Sequence, residues 1–192
     1  MTPACHHGRV GWAAVILTGG TAARLDGTDK AALAHAGRSL LEHALDAVAE
    51  ADEVVVVGPE ARTSRPVVFT RESPPGGGPL AGIAAGGAAL AGDPELVVTL
   101  AVDMPHVTRE TVARLLEAVG DHDAAWLVDA SGRRQLVGAV RPWLIPVPGS
   151  AHGVPMRRLM QAGDATDVPA VGDEAMDVDT WRDVTRLRGG EG

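Results

Sequence analysis

Residues 12–30 read WAAVILTGGTAARLDGTDK and decide the expected architecture of this chain. The beginning, Trp12–Leu17, is a continuous apolar run, which is typical of a strand buried on both faces of a parallel sheet. A glycine pair ends the run, and Arg24 and Lys30 follow. In open α/β sheets, ligands bind beyond the carboxyl ends of the strands, where loops of this kind begin. The stretch therefore predicts an α/β protein whose first loop binds a ligand.

Strand and helix patterns alternate along the rest of the chain. Further strands are expected at 54–57, 66–69, 96–102, 124–128, 135–140 and 175–178. Helices are expected at 40–51, at 80–91, after Thr108, at 155–162 and at 181–187. This alternation predicts a three-layer, Rossmann-like α/β fold, with a mostly parallel mixed sheet flanked by helices. We expect one domain over residues 1–192, with flexible ends at 1–10 and 189–192.

Composition excludes several classes of protein. The chain of 192 residues carries a formal net charge of −8, and a nucleic-acid groove needs a basic face, so no nucleic-acid partner is expected. Cys5 is the single cysteine, which excludes disulfides and clustered thiolate metal sites and fits a cytoplasmic setting. No signal-peptide pattern or apolar stretch of about 18 residues is present, so no membrane association is expected. Any phosphate site must be small and local.

Two more features are expected at strand ends. Residues 73–82 read SPPGGGPLAG, a second glycine-rich loop that permits close approach of the backbone to a ligand. Asp103 follows LVVTLAV at 96–102, the most strand-like run in the chain. Because the carboxyl ends of parallel strands lie at one edge of a sheet, we expect these features and the first loop to line one crevice.

The first loop has the chemistry of a phosphate site. Gly19 and Gly20 leave room for backbone N–H groups to approach a ligand, and Arg24 and Lys30 supply the positive charge that a triphosphate needs. It is not a P-loop, because Lys30 follows an aspartate and precedes an alanine. It is not a dinucleotide fingerprint either, because the two glycines are adjacent.

Taken together, the motifs resemble those of nucleotidyltransferases of the molybdenum cofactor guanylyltransferase type. The first motif of that family reads Leu-x-Gly-Gly-x-x-x-Arg-Met-Gly, and a lysine follows shortly after it. The matching residues here are Leu17, Gly19, Gly20, Arg24 and Lys30. Leu25 stands in place of the methionine, and Asp26 is inserted before Gly27.

The later motifs of the family follow in the expected order. GPLAG at 78–82 looks like the second nucleotide-binding motif, and DMP at 103–105 is similar to the metal-binding Asp-x-Pro. MDVDTWRDV at 176–184 resembles a motif written Asn-x-Asn-Thr-Pro-Glu-Asp-Leu, with Asp177 and Asp179 at the two asparagine positions. Any one match is weak, whereas the ordered set, spread over nearly the whole chain, is specific.

The resemblance implies a reaction and its participants. GMP would pass from GTP to the terminal phosphate of molybdopterin, releasing pyrophosphate and forming the guanine dinucleotide cofactor. Mg²⁺ is the implied cofactor, and the implied partners are GTP, molybdopterin and molybdoenzyme maturation proteins. The double glycine and GPLAG fall on the guanylyl side of the family, because cytidylyl relatives tend to carry Ala for the first glycine and an unrelated second motif.

The resemblance also assigns roles to residues. Arg24, Lys30 and Asp103 are the implied catalytic residues, and Asp103 and Asp179 are the implied metal ligands. The implied nucleotide-binding set is Leu17, Thr18, Gly19, Gly20, Lys30, Glu72, Gly78, Pro79, Leu80 and Asp103.

Other readings stay open at this point. In the first, the protein transfers the nucleotide to another phosphorylated acceptor, such as a phospholactate or a sugar phosphate. In the second, the nucleotide substrate is CTP. A third is a nucleotide-binding protein without turnover. Among single residues, Arg24 and Lys30 are solvated charges on the alternative reading. On that reading, Asp103 is a turn residue, Glu72 is structural, and Asp177 and Asp179 start the last helix electrostatically.

Overall fold

A seven-stranded sheet forms the centre of the computed structural model, which describes residues 11–18, 30–178 and 183. The strands are β1 Trp12–Leu17, β2 Ala34–His35, β3 Arg38–Ser39, β4 Glu53–Val57, β5 Val68–Thr70, β6 Leu96–Ala101, β7 Ala124–Val128, β8 Arg134–Val140 and β9 Ala165–Pro169. The helices are α1 Leu40–Ala47, α2 Pro79–Ala88, α3 Arg109–Val119 and α4 Arg157–Met160. Short 3₁₀ turns occupy Lys30–Ala32 and Pro142–Leu144.

The sheet is mixed, with the order β5-β4-β1-β6-β8-β7-β9. β1 pairs in parallel with β4 and β6, and Leu17 lies opposite both Val57 and Ala101. The carboxyl ends of these strands therefore form one edge. β8 runs antiparallel between β6 and β7, so its amino end lies at that same edge. We refer to it below as the carboxyl edge.

Apolar layers cover both faces of the sheet. On one face, Ala14 and Ile16 of β1 pack in a cluster with residues of α1 and α3. On the other face, Val15 and Leu17 pack with residues of α2 and α4. β1 is buried along its whole length, as a continuous apolar run predicts. The three-layer α/β fold expected from the sequence is thus confirmed.

Glycines let α2 lie unusually close to the sheet. A Cβ atom on Gly86 would come within 2.4 Å of Val15 Cγ1, and one on Gly82 would come within 3.0 Å of Leu17 Cδ2. Gly82 therefore sits over the end of β1, so the amino end of α2 projects past the carboxyl end of that strand. This places the GPLAG motif at the carboxyl edge.

This close approach makes a prediction about stability. Alanine at Gly86 should lower the free energy of unfolding by about 1–3 kcal/mol, because the new methyl group overlaps buried Val15. Gly87→Ala is the matched control in the same helix, since its Cβ would meet Ile145 Cγ2 at 3.0 Å, a smaller overlap than the 2.4 Å at Gly86. Chemical denaturation measures both variants. Equal stability of the two would contradict the packing argument.

In the main sheet, one predicted strand is wrong and one strand was missed. Residues 175–178 form no strand. Met176 N–H closes a turn by donating to the Asp173 carbonyl, and the bond that reaches another element runs from Val178 N–H to the Asp103 carbonyl, 2.8 Å. The last strand is β9, which pairs in parallel with β7. β9 reads ATDVP and is largely exposed, so it lacks the apolar run by which strands are recognised.

The helices are shorter than their apolar patterns suggested. The predicted helix at 40–51 ends at Ala47, that at 80–91 ends at Ala88, and that at 155–162 is reduced to α4. Ser39 caps α1 by accepting the Glu42 N–H, and the Glu42 carboxylate accepts Ser64 N–H. The predicted helix at 181–187 lies outside the described residues except for Asp183.

A crevice at the carboxyl edge as the candidate active site

A cavity of about 550 Å³ opens at the carboxyl edge, beside the end of β6. Its walls combine acidic, basic and apolar side chains with two amides. They are Asp103, Met104, Arg133, Arg134, Gln135, Leu136, Met156, Arg157, Met160, Gln161 and Asp177. The mixture suits a ligand that has both an apolar ring system and a charged group.

Hydrogen bonds fix Leu17 and Thr18, the last described residues before the first loop. Thr18 N–H and Thr18 Oγ1 both donate to the Val57 carbonyl at 3.1 Å, and the Leu17 carbonyl accepts Val102 N–H at 3.0 Å. Both side chains are buried, so they belong to the core of the sheet. Lys30 begins the 3₁₀ turn after the loop. Gly19, Gly20 and Arg24 lie outside the described residues, and their roles stay predictions.

The second glycine-rich loop ends at the amino terminus of α2. Gly78 is the N-cap residue with φ of 86°, a conformation that favours glycine, and Pro79 is the first helical residue. Leu80 is buried in the core, which leaves its backbone N–H as the group available to a ligand. Glu72 Oε1 accepts Gly76 N–H at 3.3 Å, so this carboxylate supports the loop. None of these residues lines the 550 Å³ cavity.

Asp103 lies at the carboxyl edge, just beyond the end of β6 and beside the end of β1. It follows β6 by two residues, is half-buried, and lines the cavity together with exposed Asp177. The Asp103 carbonyl accepts Val178 N–H at 2.8 Å, which brings the segment carrying Asp177 to the end of β6. The structure thus places Asp103 and Asp177 at the same cavity, whereas the predicted ligand Asp179 lies outside the described residues.

The hairpin between β7 and β8 supplies a wall of the cavity that sequence reasoning missed. Asp129 organises its tip: Oδ1 accepts Ser131 Oγ at 2.6 Å and Arg133 N–H at 3.0 Å, and Oδ2 accepts Gln135 Nε2 at 2.9 Å. These bonds, led by the one from Ser131, lower the pKa of Asp129 and keep it an acceptor. The ordered tip carries Arg133 and Arg134 into the cavity wall.

Arg134 and Arg157, two of the three arginines in that wall, differ in whether they bond to other residues of the protein. The Arg134 guanidinium is used internally, because it donates to Asp167 Oδ1 at 2.6 Å, to the Ala165 carbonyl at 3.2 Å and to the Met160 carbonyl. Arg157 is exposed, and its guanidinium bonds to none of the described residues. Arg157 is therefore free to bind a ligand. The sequence signals for these residues are the arginine doublets at 133–134 and 157–158, a pattern that is also typical of ordinary surface charge.

The donor set fits a magnesium ion that is bound mainly through substrate. Magnesium prefers oxygen ligands and is often held by one or two carboxylates plus phosphates and water. Asp103 and Asp177 provide two carboxylates at one cavity. No cluster of three or more His, Cys, Asp or Glu side chains suited to a metal occurs within the described ranges 11–18 and 30–178. A dedicated protein cage for a tightly held metal is thus absent from that part of the chain.

Fold and crevice define an open α/β protein with a candidate ligand site at the carboxyl edge of its sheet. Residues 14–168 match the family described as MobA-like NTP transferase domain, and the chain belongs to that family. This confirms the resemblance found in the motifs. No helix in the described part of the chain is long and apolar enough to cross a membrane.

Relatives of known name support the same family. The molybdenum cofactor guanylyltransferase of Acidiphilium cryptum is 41% identical over 111 residues, covering 53% of this chain and 55% of that protein. The protein of the same name from Rhodopseudomonas palustris is 33% identical over 167 residues, covering 81% of this chain and 75% of that protein. The chain spans 55–64% of the length of the first four curated relatives that it matches.

Solved structures share the fold. Molybdopterin-guanine dinucleotide biosynthesis protein A of Archaeoglobus fulgidus superposes with a TM-score of 0.70 at 18% identity, covering 92% of this chain and 97% of that one. Rv0371C of Mycobacterium tuberculosis H37Rv, in complex with manganese, gives 0.69 at 18% identity, with coverages of 93% and 97%. The 4-diphosphocytidyl-2C-methyl-D-erythritol synthase of Anaerococcus prevotii gives 0.69 at 15%, with 94% and 95%. Proteins named for a guanine product and for a cytidine product share this fold, so the fold alone does not identify the nucleotide base.

Proposed function

We propose that this protein transfers GMP from GTP to the terminal phosphate of molybdopterin, releasing pyrophosphate and forming the guanine dinucleotide cofactor. The observation that carries the proposal is the position of Asp103 at the carboxyl edge, where it lines a cavity of about 550 Å³ that is separate from the Gly78 start of α2 at the same edge. This arrangement offers one place for a nucleotide and an adjoining place for an acceptor. The names of the relatives support the choice of both substrates.

The nucleotide half rests on backbone groups. Leu17 and Thr18 fix the start of the first loop, and Gly78 and Pro79 begin α2 at the same edge. Unsubstituted backbone at Gly19 and Gly78 leaves room for a purine and offers N–H and carbonyl groups to its polar edge. These features support GTP, and Glu72 contributes by holding the loop before Gly78.

The chemistry needs charge neutralisation more than covalent participation by the protein. Lys30 and Arg24 would neutralise the phosphates of GTP, and Asp103 with Asp177 or Asp179 would hold Mg²⁺. The bound ion would supply charge stabilisation at the phosphates. The protein's own contribution is to place the acceptor phosphate in line with the α-phosphate and to keep both ligands fixed. The manganese complex of a protein with the same fold supports a divalent ion.

The acceptor half suits a pterin that carries a phosphate. Leu136, Met156 and Met160 provide an apolar surface for a flat ring, and Gln161 offers amide donors and acceptors to its polar edge. Arg157 and Arg133 supply positive charge for the terminal phosphate. A cytoplasmic setting and contacts with molybdoenzyme maturation proteins complete the proposal, on the sequence and the resemblance alone.

Purified protein incubated with Mg²⁺, molybdopterin and either GTP or CTP tests the proposal directly. We expect pyrophosphate release that depends on both GTP and molybdopterin, with the guanine dinucleotide identified by mass. A preference for CTP would overturn the base assignment. Release that depends instead on a phospholactate or a sugar phosphate would replace the acceptor, and GTP binding without product under any acceptor would indicate a protein without turnover.

The exposed arginine of the cavity makes a prediction about the acceptor. Arg157→Ala should raise the KM for molybdopterin about 10-fold, the effect of losing one hydrogen bond to a charged group, and should leave the KM for GTP near its original value. Arg158→Ala is the matched control, because its neighbouring side chain does not line the cavity. Steady-state kinetics with each substrate varied in turn measure the effect. A larger change for GTP than for molybdopterin would contradict this placement.

A further inference from the structure

Glu174 is a buried carboxylate that none of the recognised motifs includes. It is 7% exposed, and both of its oxygens are fully occupied. Oε1 accepts Thr111 Oγ1 at 2.6 Å and an Arg114 guanidinium N–H at 3.1 Å, and Oε2 accepts the second Arg114 N–H at 2.6 Å. Oε2 also accepts the Val171 N–H at 2.8 Å. A buried charge with this many bonds has one defined position.

The bonds of Glu174 connect two segments of the chain. Thr111 accepts Thr108 N–H at 3.1 Å while it donates to Glu174, so the carboxylate is tied to the capped start of α3. That helix start follows Asp103 by a short turn, in which Val107 is buried. Glu174 therefore fastens the segment 171–178 to the start of α3, the helix that follows the turn carrying Asp103.

The far end of the segment is held at Asp103 itself. Val178 is fully buried, and its N–H donates to the Asp103 carbonyl at 2.8 Å. Asp177 lies between these two attachments, is exposed, and lines the cavity with Asp103. Burial raises the pKa of Glu174, but hydrogen bonds from Arg114, Thr111 and Val171 outweigh this and leave the pKa lowered, so the carboxylate is charged at neutral pH.

We propose that Glu174 is a positioning residue: by pairing with Arg114 it fixes segment 171–178 so that Asp177 faces Asp103 and a divalent cation with the GTP phosphates is held by two carboxylates instead of one. The proposal rests on the proposed function for the identity of these ligands. Glu174 touches neither ligand. It acts through Asp177, as outer partners of metal ligands do.

Binding of Mn²⁺ in the presence of GTP and without acceptor tests this role, with free Mn²⁺ measured by its electron paramagnetic resonance signal. Asp177→Asn should weaken Mn²⁺ binding about 10-fold, and Glu174→Gln should weaken it by a similar factor. In the double variant the loss should equal that of Asp177→Asn alone, because both changes remove the same ligand. Glu117→Gln, an exposed carboxylate of α3, is the control and should leave binding unchanged.

Two results would overturn the proposal. One is Mn²⁺ affinity in Glu174→Gln equal to that of the unchanged protein, and the other is a double variant whose loss is the product of the two single losses. Thr111→Val, which removes one hydrogen bond and keeps the ion pair, replaces Glu174→Gln if that variant does not fold, with an expected loss of about 3-fold. Failure of the proposed function is distinguishable, since Mn²⁺ and GTP would then bind without any guanine dinucleotide product when molybdopterin is added.

Discussion

Replacing Asp103 with asparagine is expected to lower the rate of GMP transfer roughly 100-fold or more, the usual effect of removing one group that stabilises the transition state. Asparagine has the same shape but no charge, so it cannot balance a divalent cation between the phosphates. The residue lines the cavity two residues after the end of β6. The loss should therefore appear mainly in the rate constant of GMP transfer, measured in single-turnover experiments.

Asp93→Asn is a matched control for that experiment. Asp93 lies before the amino end of β6, at the opposite edge of the sheet, and is exposed. We expect its transfer rate to be unchanged. Thermal unfolding of both variants separates loss of chemistry from loss of fold. Near-original turnover in a folded Asp103→Asn protein would remove Asp103 from the metal site.

Lys30→Ala is expected to reduce transfer by a similar factor, roughly 100-fold. The ammonium group is a compact point charge, which suits neutralisation of the negative charge that the phosphates carry during transfer. Lys30→Arg keeps the charge and should recover part of the rate. If alanine and arginine variants both keep the original rate, Lys30 is a solvated charge of the loop and not a phosphate ligand.

The composition of the chain permits a second, independent measurement on the same residue. Lys30 is the only lysine in the sequence. Periodate-oxidised GTP forms a Schiff base with nearby amines, and borohydride reduction makes the bond permanent. We expect the label at Lys30, with protection by unmodified GTP and loss of that label in Lys30→Arg. Labelling confined to the amino terminus would contradict the placement of Lys30 beside the nucleotide.

The fold could be predicted from the sequence because its buried elements have strong apolar patterns. β1, β4, β6 and β7 were predicted to within two residues at either end, and Thr108 was predicted as the cap of α3. β9 was missed because it is an edge strand with polar positions, and the ribbon of β2 and β3 was missed because each strand has two residues. The turn in that ribbon uses Ala36 at φ of 48°, which carries no sequence signal for a turn.

The candidate site was only half predictable for a related reason. Loop motifs such as GPLAG are continuous in sequence, so their pattern is visible without a structure. The cavity is assembled from Asp103, the hairpin tip, α4 and the segment before Val178, which are far apart along the chain. No spacing rule links Arg157 to Asp103. The bonds that hold Glu174 are equally long-range, and a glutamate after a glycine and an aspartate looks like ordinary surface charge.

The antiparallel direction of β8 has a consequence for how acceptor preference can diverge among related proteins. Because β8 runs against its neighbours, the tip of the hairpin at 129–133 meets the ligand edge without the helical crossover that a parallel strand would need. Exposed hairpin tips tolerate changes of length and sequence that buried crossovers do not. Replacing this tip with that of a relative should therefore change which acceptor is preferred. The parallel strands β1, β4 and β6 should keep their geometry. On the proposed function, acceptor choice and nucleotide choice would thus depend on separate parts of one sheet.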